Sequence, residues 1–194
     1  MANLINLEDY KISENIQNAK DDARLLIIIE SVSQLVKTYC NNSFVDYFTT
    51  AKIEKFNISY NESFVQLTES PVVTTEGNKP VVYERKDTTS SYVTLTEDTD
   101  YYVDEDLDCI YRLNTKFPKG PGSVKVHYKA GYSAVPADLK LAVIDLITYY
   151  HKDEHKARQT MAGASIQNQT SSSQRDNVAF PDHIKRVLDL YKNF

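Results

Sequence analysis

The sequence predicts an α+β protein in which a helical core (an N-terminal helix, a long helix after Pro136 and a C-terminal helix) carries an antiparallel β-rich insertion. Three observations predict it. Apolar residues recur at helical spacing at Leu25, Ile28, Ile29, Val32, Leu35, Val36 and Tyr39, and again at Leu139, Ala142, Val143, Leu146, Ile147 and Tyr150. Between these stripes, residues 52 to about 132 change to short β-branched and aromatic runs divided by turn residues.

Taken in order, Leu4 to Ile16 reads as a short helix or arm, with Asn18 near its join to the next element. Asp21 and Asp22 open the first long helix, where the positive end of the helix dipole favours anions. Leu26 and Ile27 fall off the apolar stripe, so the first two turns are apolar over most of their circumference and need a second partner. In the β region, Phe56, Ile58 and Tyr60 alternate with polar residues. Further extended pieces are Phe64 to Leu67, Tyr92 to Leu95, Tyr101 to Val103 and Cys109 to Leu113, and Phe117 to Gly122 reads as a loop. Val124, Val126 and Tyr128 then alternate with Ser123, Lys125 and His127, which completes six or seven strands with one polar face.

Pro136 suits a first helical position, where its missing N–H costs nothing, and a helix over 136–157 follows. Leu141 and Ile144 lie on its flank with Thr148, His151 and His155, so this helix also offers a second face, suited to another subunit. Residues 159–179 are small and polar without periodicity, a spacer of roughly 25 Å as a coil and ~70 Å fully extended. After Pro181, Ile184, Val187, Leu188 and Tyr191 form one narrow stripe, and so short a helix must dock on something. The expected segments are thus 1–51 (arm and helix), 52–132 (β-rich), 133–158 (long helix), 159–180 (spacer) and 181–194 (docking helix), the first three forming one domain.

Composition excludes several classes. The chain has 194 residues, and its longest apolar run, Leu25 to Ile29, is far short of the roughly 20 residues that span a bilayer. No export signal pattern opens it, so a membrane or secreted protein is not expected. Cys40 and Cys109 have no CxxC spacing and read as reduced, buried thiols. The net charge is −5, with fifteen cations against twenty-two anions before His151 and seven against five from there on. Seven acids and no base lie between Glu97 and Asp108, which argues against that stretch lying on phosphates and points to a solvated hairpin tip.

The sharpest catalytic pattern is His151-Lys152-Asp153-Glu154-His155, an H-x-x-E-H arrangement in which two histidines one turn apart can share a zinc and Glu154 can act as base. That class needs a further glutamate downstream, and none follows Glu154. Histidines at a helix C-terminus also suit the dipole, so no metal site is expected. Asp104, Glu105, Asp106 and Asp108 lack the calcium-loop framework, and Lys119 to Gly122 lacks the GK[ST] of a phosphate loop. No G-x-S-x-G elbow occurs, and neither a catalytic residue nor a cofactor is expected.

The blocks at 21–44 (DDARLLIIIESVSQLVKTYCNNSF), 98–152 and 162–194 resemble the head-to-tail connector proteins of tailed bacteriophages, also called adaptor or head completion proteins. Within them the Ala130-Gly131-Tyr132 turn, followed by Val135-Pro136 opening a long helix, is the best single motif. The resemblance implies a non-enzymatic virion protein of the head–tail interface, assembled in the bacterial cytoplasm as a dodecameric ring. Its partners would be a portal protein and the next tail or stopper protein, and it would surround double-stranded DNA without adhering to it. On that reading Leu26, Ile27, Leu141 and Ile144 make subunit contacts, while Ile184, Val187, Leu188 and Tyr191 dock on the portal or a neighbour. Asp104, Glu105, Asp106 and Asp108 then face the channel or the next ring. The chain departs from short family members in its long excursion over 59–108 and in having no glycine at the turn around 106–109. The alternatives are a zinc hydrolase built on His151, Glu154 and His155, and a β-rich tail module.

Overall fold

The computed structural model describes residues 2–60, 62–152 and 180–193, with the backbone of 159–161 and 164–166. In chain order the elements are α1 (Leu7–Ser13), α2 (Asp22–Cys40), α3 (Asp46–Thr49), β1 (Lys52–Ile58), β2 (Phe64–Gln66), β3 (Val81–Glu84), β4 (Val93–Thr94), β5 (Tyr101–Asp104), β6 (Cys109–Arg112), β7 (Gly120–Tyr128), α4 (Ala137–His151), β8 (Gln159–Met161), β9 (Ala164–Ile166) and α5 (Asp182–Asp189). The α+β class with an antiparallel β insertion is the observed one. Residues 1–41 and 135–192 form a helical unit and 42–134 a β unit, so the division falls at Asn41/Asn42 and Ala134/Val135 rather than at 51/52 and 132/133.

In the helical unit, the Asn6 side chain accepts the Asp9 N–H at 2.6 Å and caps α1. The arm is fastened to α2 where Ser33 Oγ accepts the Leu4 N–H at 3.1 Å and Lys37 Nζ donates to the Ala2 carbonyl at 2.8 Å. Leu25, Ile29, Val32, Val36 and Cys40 form the buried stripe of α2, the face that the 3.6-residue period selects. Asn41, at φ +50°, ends the helix, its N–H reaching back to the carbonyls of Lys37 and Thr38. Helix α4 packs on α2 and buries Leu139, Ala142, Val143, Ile144, Leu146 and Ile147. It runs to His151, with the Lys152 N–H bonded to the Thr148 carbonyl, and residues 153–157 of the expected helix lie outside the described residues. Within the expected spacer, β8 pairs antiparallel with β9, with Gln159 opposite Ile166 and Met161 opposite Ala164, while residues 162–163 and 167–179 lie outside the described residues.

The β unit has two antiparallel sheets, in the orders β1-β7-β3-β4 and β2-β6-β5. Val82, Val124, Val126 and Tyr128 of the first share one core with Val65, Tyr101, Val103 and Ile110 of the second. Arg112 on β6 bonds Glu84 on β3 at 3.2 Å and so ties the sheets on their inner side. Strand β7 begins at Gly120, inside the expected loop. The Ala130-Gly131-Tyr132 turn closes this unit: the Gly131 N–H donates to the Pro71 carbonyl at 2.8 Å and the Tyr132 N–H to the Phe44 carbonyl at 2.6 Å. Gly131 has φ +97°, and a Cβ there would lie 2.0 Å from the Phe44 carbonyl oxygen, so only glycine fits.

Candidate assembly surfaces

The first turns of α2 expose Leu26 (49%) and Ile27 (66%), as their position off the buried stripe predicts. Ile27 also borders an apolar groove of about 340 Å³, lined by Ile28, Ser31, Val32 and Leu35 of α2 and by Tyr150 of α4. Desolvation is the main cause that raises the Tyr150 phenol above its usual range, with Tyr149 adding to it. Leu141 is exposed as well, but it lies nine residues from Tyr150, about 14 Å along α4, and so is not part of this groove. Ile144 does not belong to an exposed face. It is only 7% exposed, because α4 is covered over more of its circumference than one stripe suggests.

The C-terminal helix also departs from expectation. Ile184 and Leu188 are buried, and α5 packs on α2 and α4 of the same chain. Around this contact, Tyr39 Oη donates to Asp189 Oδ1 at 2.6 Å, Tyr191 Oη donates to Asp138 Oδ1 at 2.6 Å, and the Phe180 and Tyr39 rings meet edge to face at 5.0 Å. Val187 and Tyr191 are half-buried beside it. The stripe read as a dock for the portal or a neighbour is therefore spent within the protomer. Cys40 lies under this helix with Sγ 3.5 Å from the Leu188 carbonyl, and burial pushes its thiol up to about 12. It is a packing residue, as read from the sequence.

The acidic turn joins β5 to β6. Glu105 and Asp106 are exposed, and Asp104 Oδ1 accepts the N–H groups of Asp106 and Leu107, both at 3.1 Å. Asp108 departs from the other three: its carboxylate turns inward and accepts the Val72 N–H at 2.7 Å. Desolvation, the largest cause, raises its carboxyl above the usual range. Its φ is +49°, a left-handed conformation in which aspartate replaces the glycine absent from this turn. On the outer face of the same sheet, Phe64, Tyr111 and Tyr102 form a row, the first two with ring centroids 5.8 Å apart.

Sequence reasoning missed one surface. On the side of the four-stranded sheet away from the core, Lys55 stands opposite Lys125, and Lys125 opposite Tyr83. The Lys125 ammonium sits 4.3 Å from the Tyr83 ring centre and 4.5 Å from that of Tyr92, while Arg85 stacks on Tyr92 at 4.9 Å. The sheet's carboxylates point the other way: Glu54 accepts from Tyr128 Oη at 2.8 Å and Glu84 is held by Arg112. The polar side of β7 was legible from its alternation, but its cationic neighbours come from strands distant in sequence.

No cluster of three or more metal-ligating side chains occurs among the described residues. His151 is half-buried, and Glu154 and His155 lie outside the described residues. Among the described residues no helix is long and apolar enough to cross a membrane.

The family model described as head completion protein matches residues 3–194. The chain belongs to the head completion protein family. The head completion protein of Escherichia phage T5 is 30% identical over 79 residues, which is 40% of this chain and 43% of that protein, so the match spans under half of that relative's length. A chain from the neck of the empty gene transfer agent particle, computed with C6 symmetry, has a TM-score of 0.59 at 14% identity, covering 98% of this chain and 90% of that one. A chain from the neck of the native particle, computed with C12 symmetry, gives 0.57 at 14% identity over 100% and 96%. These structures share the fold. The family's role is structural, at the junction of head and tail, rather than enzymatic, and nothing supports the zinc-hydrolase alternative.

Proposed function

We propose that the chain is a ring-forming virion protein that joins the portal of a phage-like capsid to its tail and surrounds the DNA channel. The carrying observation is the family match across residues 3–194, nearly the whole chain. The likeness to neck chains in particles with C12 and C6 symmetry supports a ring of twelve subunits, a number compatible with both. The neighbouring subunit covers Leu26 and Ile27 with the groove beside them, and Leu141 makes a separate contact, because exposed aliphatic surface of this kind gains from burial. Its partners are the portal above and the next tail or stopper protein below.

Light scattering of the purified chain, alone and mixed with a portal protein, tests this reading. A ring-sized species is expected in at least the mixture, and Ile27→Asp should weaken it without unfolding the protomer, since Ile27 is 66% exposed. A strict monomer in both samples contradicts it.

A further inference from the structure

The outward side of the four-stranded sheet is built like a receptor. Lys55 and Lys125 face each other across β1 and β7, a like-charge pair that destabilises an antiparallel ladder unless an anion relieves it. The Lys125 ammonium is held between two tyrosine rings, which fixes its position without neutralising its charge. Arg85 adds a third cation, anchored by donating to the carbonyls of Gly122 at 3.0 Å and Pro121 at 3.1 Å. Among the described residues no carboxylate is paired with Lys55 or Lys125. One pleat along the sheet, roughly 7 Å away, Ile53 and Val81 flank His127 and are both exposed. The face therefore offers positive charge beside an apolar strip.

That pairing of chemistries selects the occupant. A phosphate backbone would satisfy the cations but offers nothing to cover Ile53 and Val81. The turn between β5 and β6 offers both: Glu105 and Asp106 are exposed, and Leu107, next in sequence, is 58% exposed. This turn belongs to the other sheet, and the receptor face points away from that sheet, so one copy cannot bring its own turn there. Two different patches on one chain make a heterologous contact, which closes into a ring when its rotation permits. We infer that the Glu105-Asp106-Leu107 turn of one copy docks on the Lys55, Lys125 and Arg85 face of the next, with Leu107 over Ile53 and Val81. This rests on the ring reading and names the β-unit contact of that ring.

The test is a charge swap in the full-length chain at a concentration where the wild type assembles. Lys55→Glu with Lys125→Glu, and separately Glu105→Lys with Asp106→Lys, should each weaken assembly by about tenfold or more. A one-to-one mixture of the two variants should restore it, because in an alternating ring every altered face meets an altered turn. Leu107→Ser leaves all charges in place and should also weaken assembly, which keeps the test valid where a charge variant fails to fold. Failure of the mixture to recover overturns the contact. So does intact assembly of the face variant, including the case in which it loses only retention of double-stranded DNA in a gel, which would make the face a DNA contact. A wild type that never assembles, even with a portal protein, removes the ring reading itself and this contact with it.

Discussion

The helical unit and the β unit differ in what accompanies their exposed apolar side chains. The first exposes aliphatic side chains, Leu26, Ile27 and Leu141, while the apolar stripe of its C-terminal helix, α5, is satisfied within the chain. The second exposes Ile53, Val81 and Leu107 as well, but sets them beside separated charge: carboxylates at the β5–β6 turn, Lys55 and Lys125 on the outward side of β1 and β7, and Arg85 just past β3. A net charge of −5 averages over this separation and describes neither patch. The contrast teaches that one chain can carry two adhesive chemistries with different responses to solvent. Burial of aliphatic surface is nearly indifferent to moderate salt, whereas exposed charge pairs weaken as the Debye length shortens.

The largest effect is expected at the turn that closes the β unit. Gly131→Ala forces a Cβ to within 2.0 Å of the Phe44 carbonyl oxygen at φ +97°, and both the clash and the backbone conformation oppose it. A loss of about 3–4 kcal/mol is expected in denaturant unfolding. Hydrogen exchange should show protection falling first in β1 and β7, with α2 and α4 less affected; equal loss in both units would break the comparison.

Next comes the C-terminal helix. Leu188 is fully buried and Leu190 is 79% exposed, two positions apart. Leu188→Ala should cost about 3 kcal/mol, within the usual range for emptying a core leucine site, and Leu190→Ala less than about 0.5 kcal/mol. Equal, small effects would mean that α5 is not held by its own protomer and would return it to the role of an external dock.

The smallest effect concerns Asp108. Burial raises its carboxyl above the ordinary value of 3.8, so the folded state holds that proton more tightly than the unfolded one. Stability from this group is therefore present at low pH and lost as pH rises through the raised value. Asp108→Asn keeps an acceptor for the Val72 N–H and tolerates φ +49°. It should stabilise the protein at neutral pH, and the gain should vanish below the usual carboxylate range. A loss at neutral pH would show that the charge itself is needed there.

The features legible in the sequence are those that repeat locally. The inner stripes of α2 and α4 follow from a 3.6-residue period, and the alternation of Val124, Val126 and Tyr128 from a two-residue one. The exposure of Leu26 and Ile27 followed from the same argument. Ile144 was misjudged because a flank position is exposed only if nothing covers it, and periodicity within one helix carries no knowledge of the neighbours. The destination of α5 was hidden for a related reason: its stripe shows that it must dock, not on what. Asp108 was grouped with Asp104, Glu105 and Asp106 by composition, but one residue along a tight turn reverses the direction of a side chain. The basic face needed strand pairing, since Lys55 meets Lys125 across a separation of seventy residues, and no local pattern fixes such a register.

The central claim is that this chain closes a ring at the head–tail junction, and counting its subunits tests that most directly. Native mass measurement of the wild-type species, assembled alone or on a portal protein, should give twelve copies of the 22.2 kDa chain. The equimolar mixture of the face variant and the turn variant should return the same count, with six of each. A species that grows without a fixed stoichiometry, or a chain that stays single in every sample, would contradict the account.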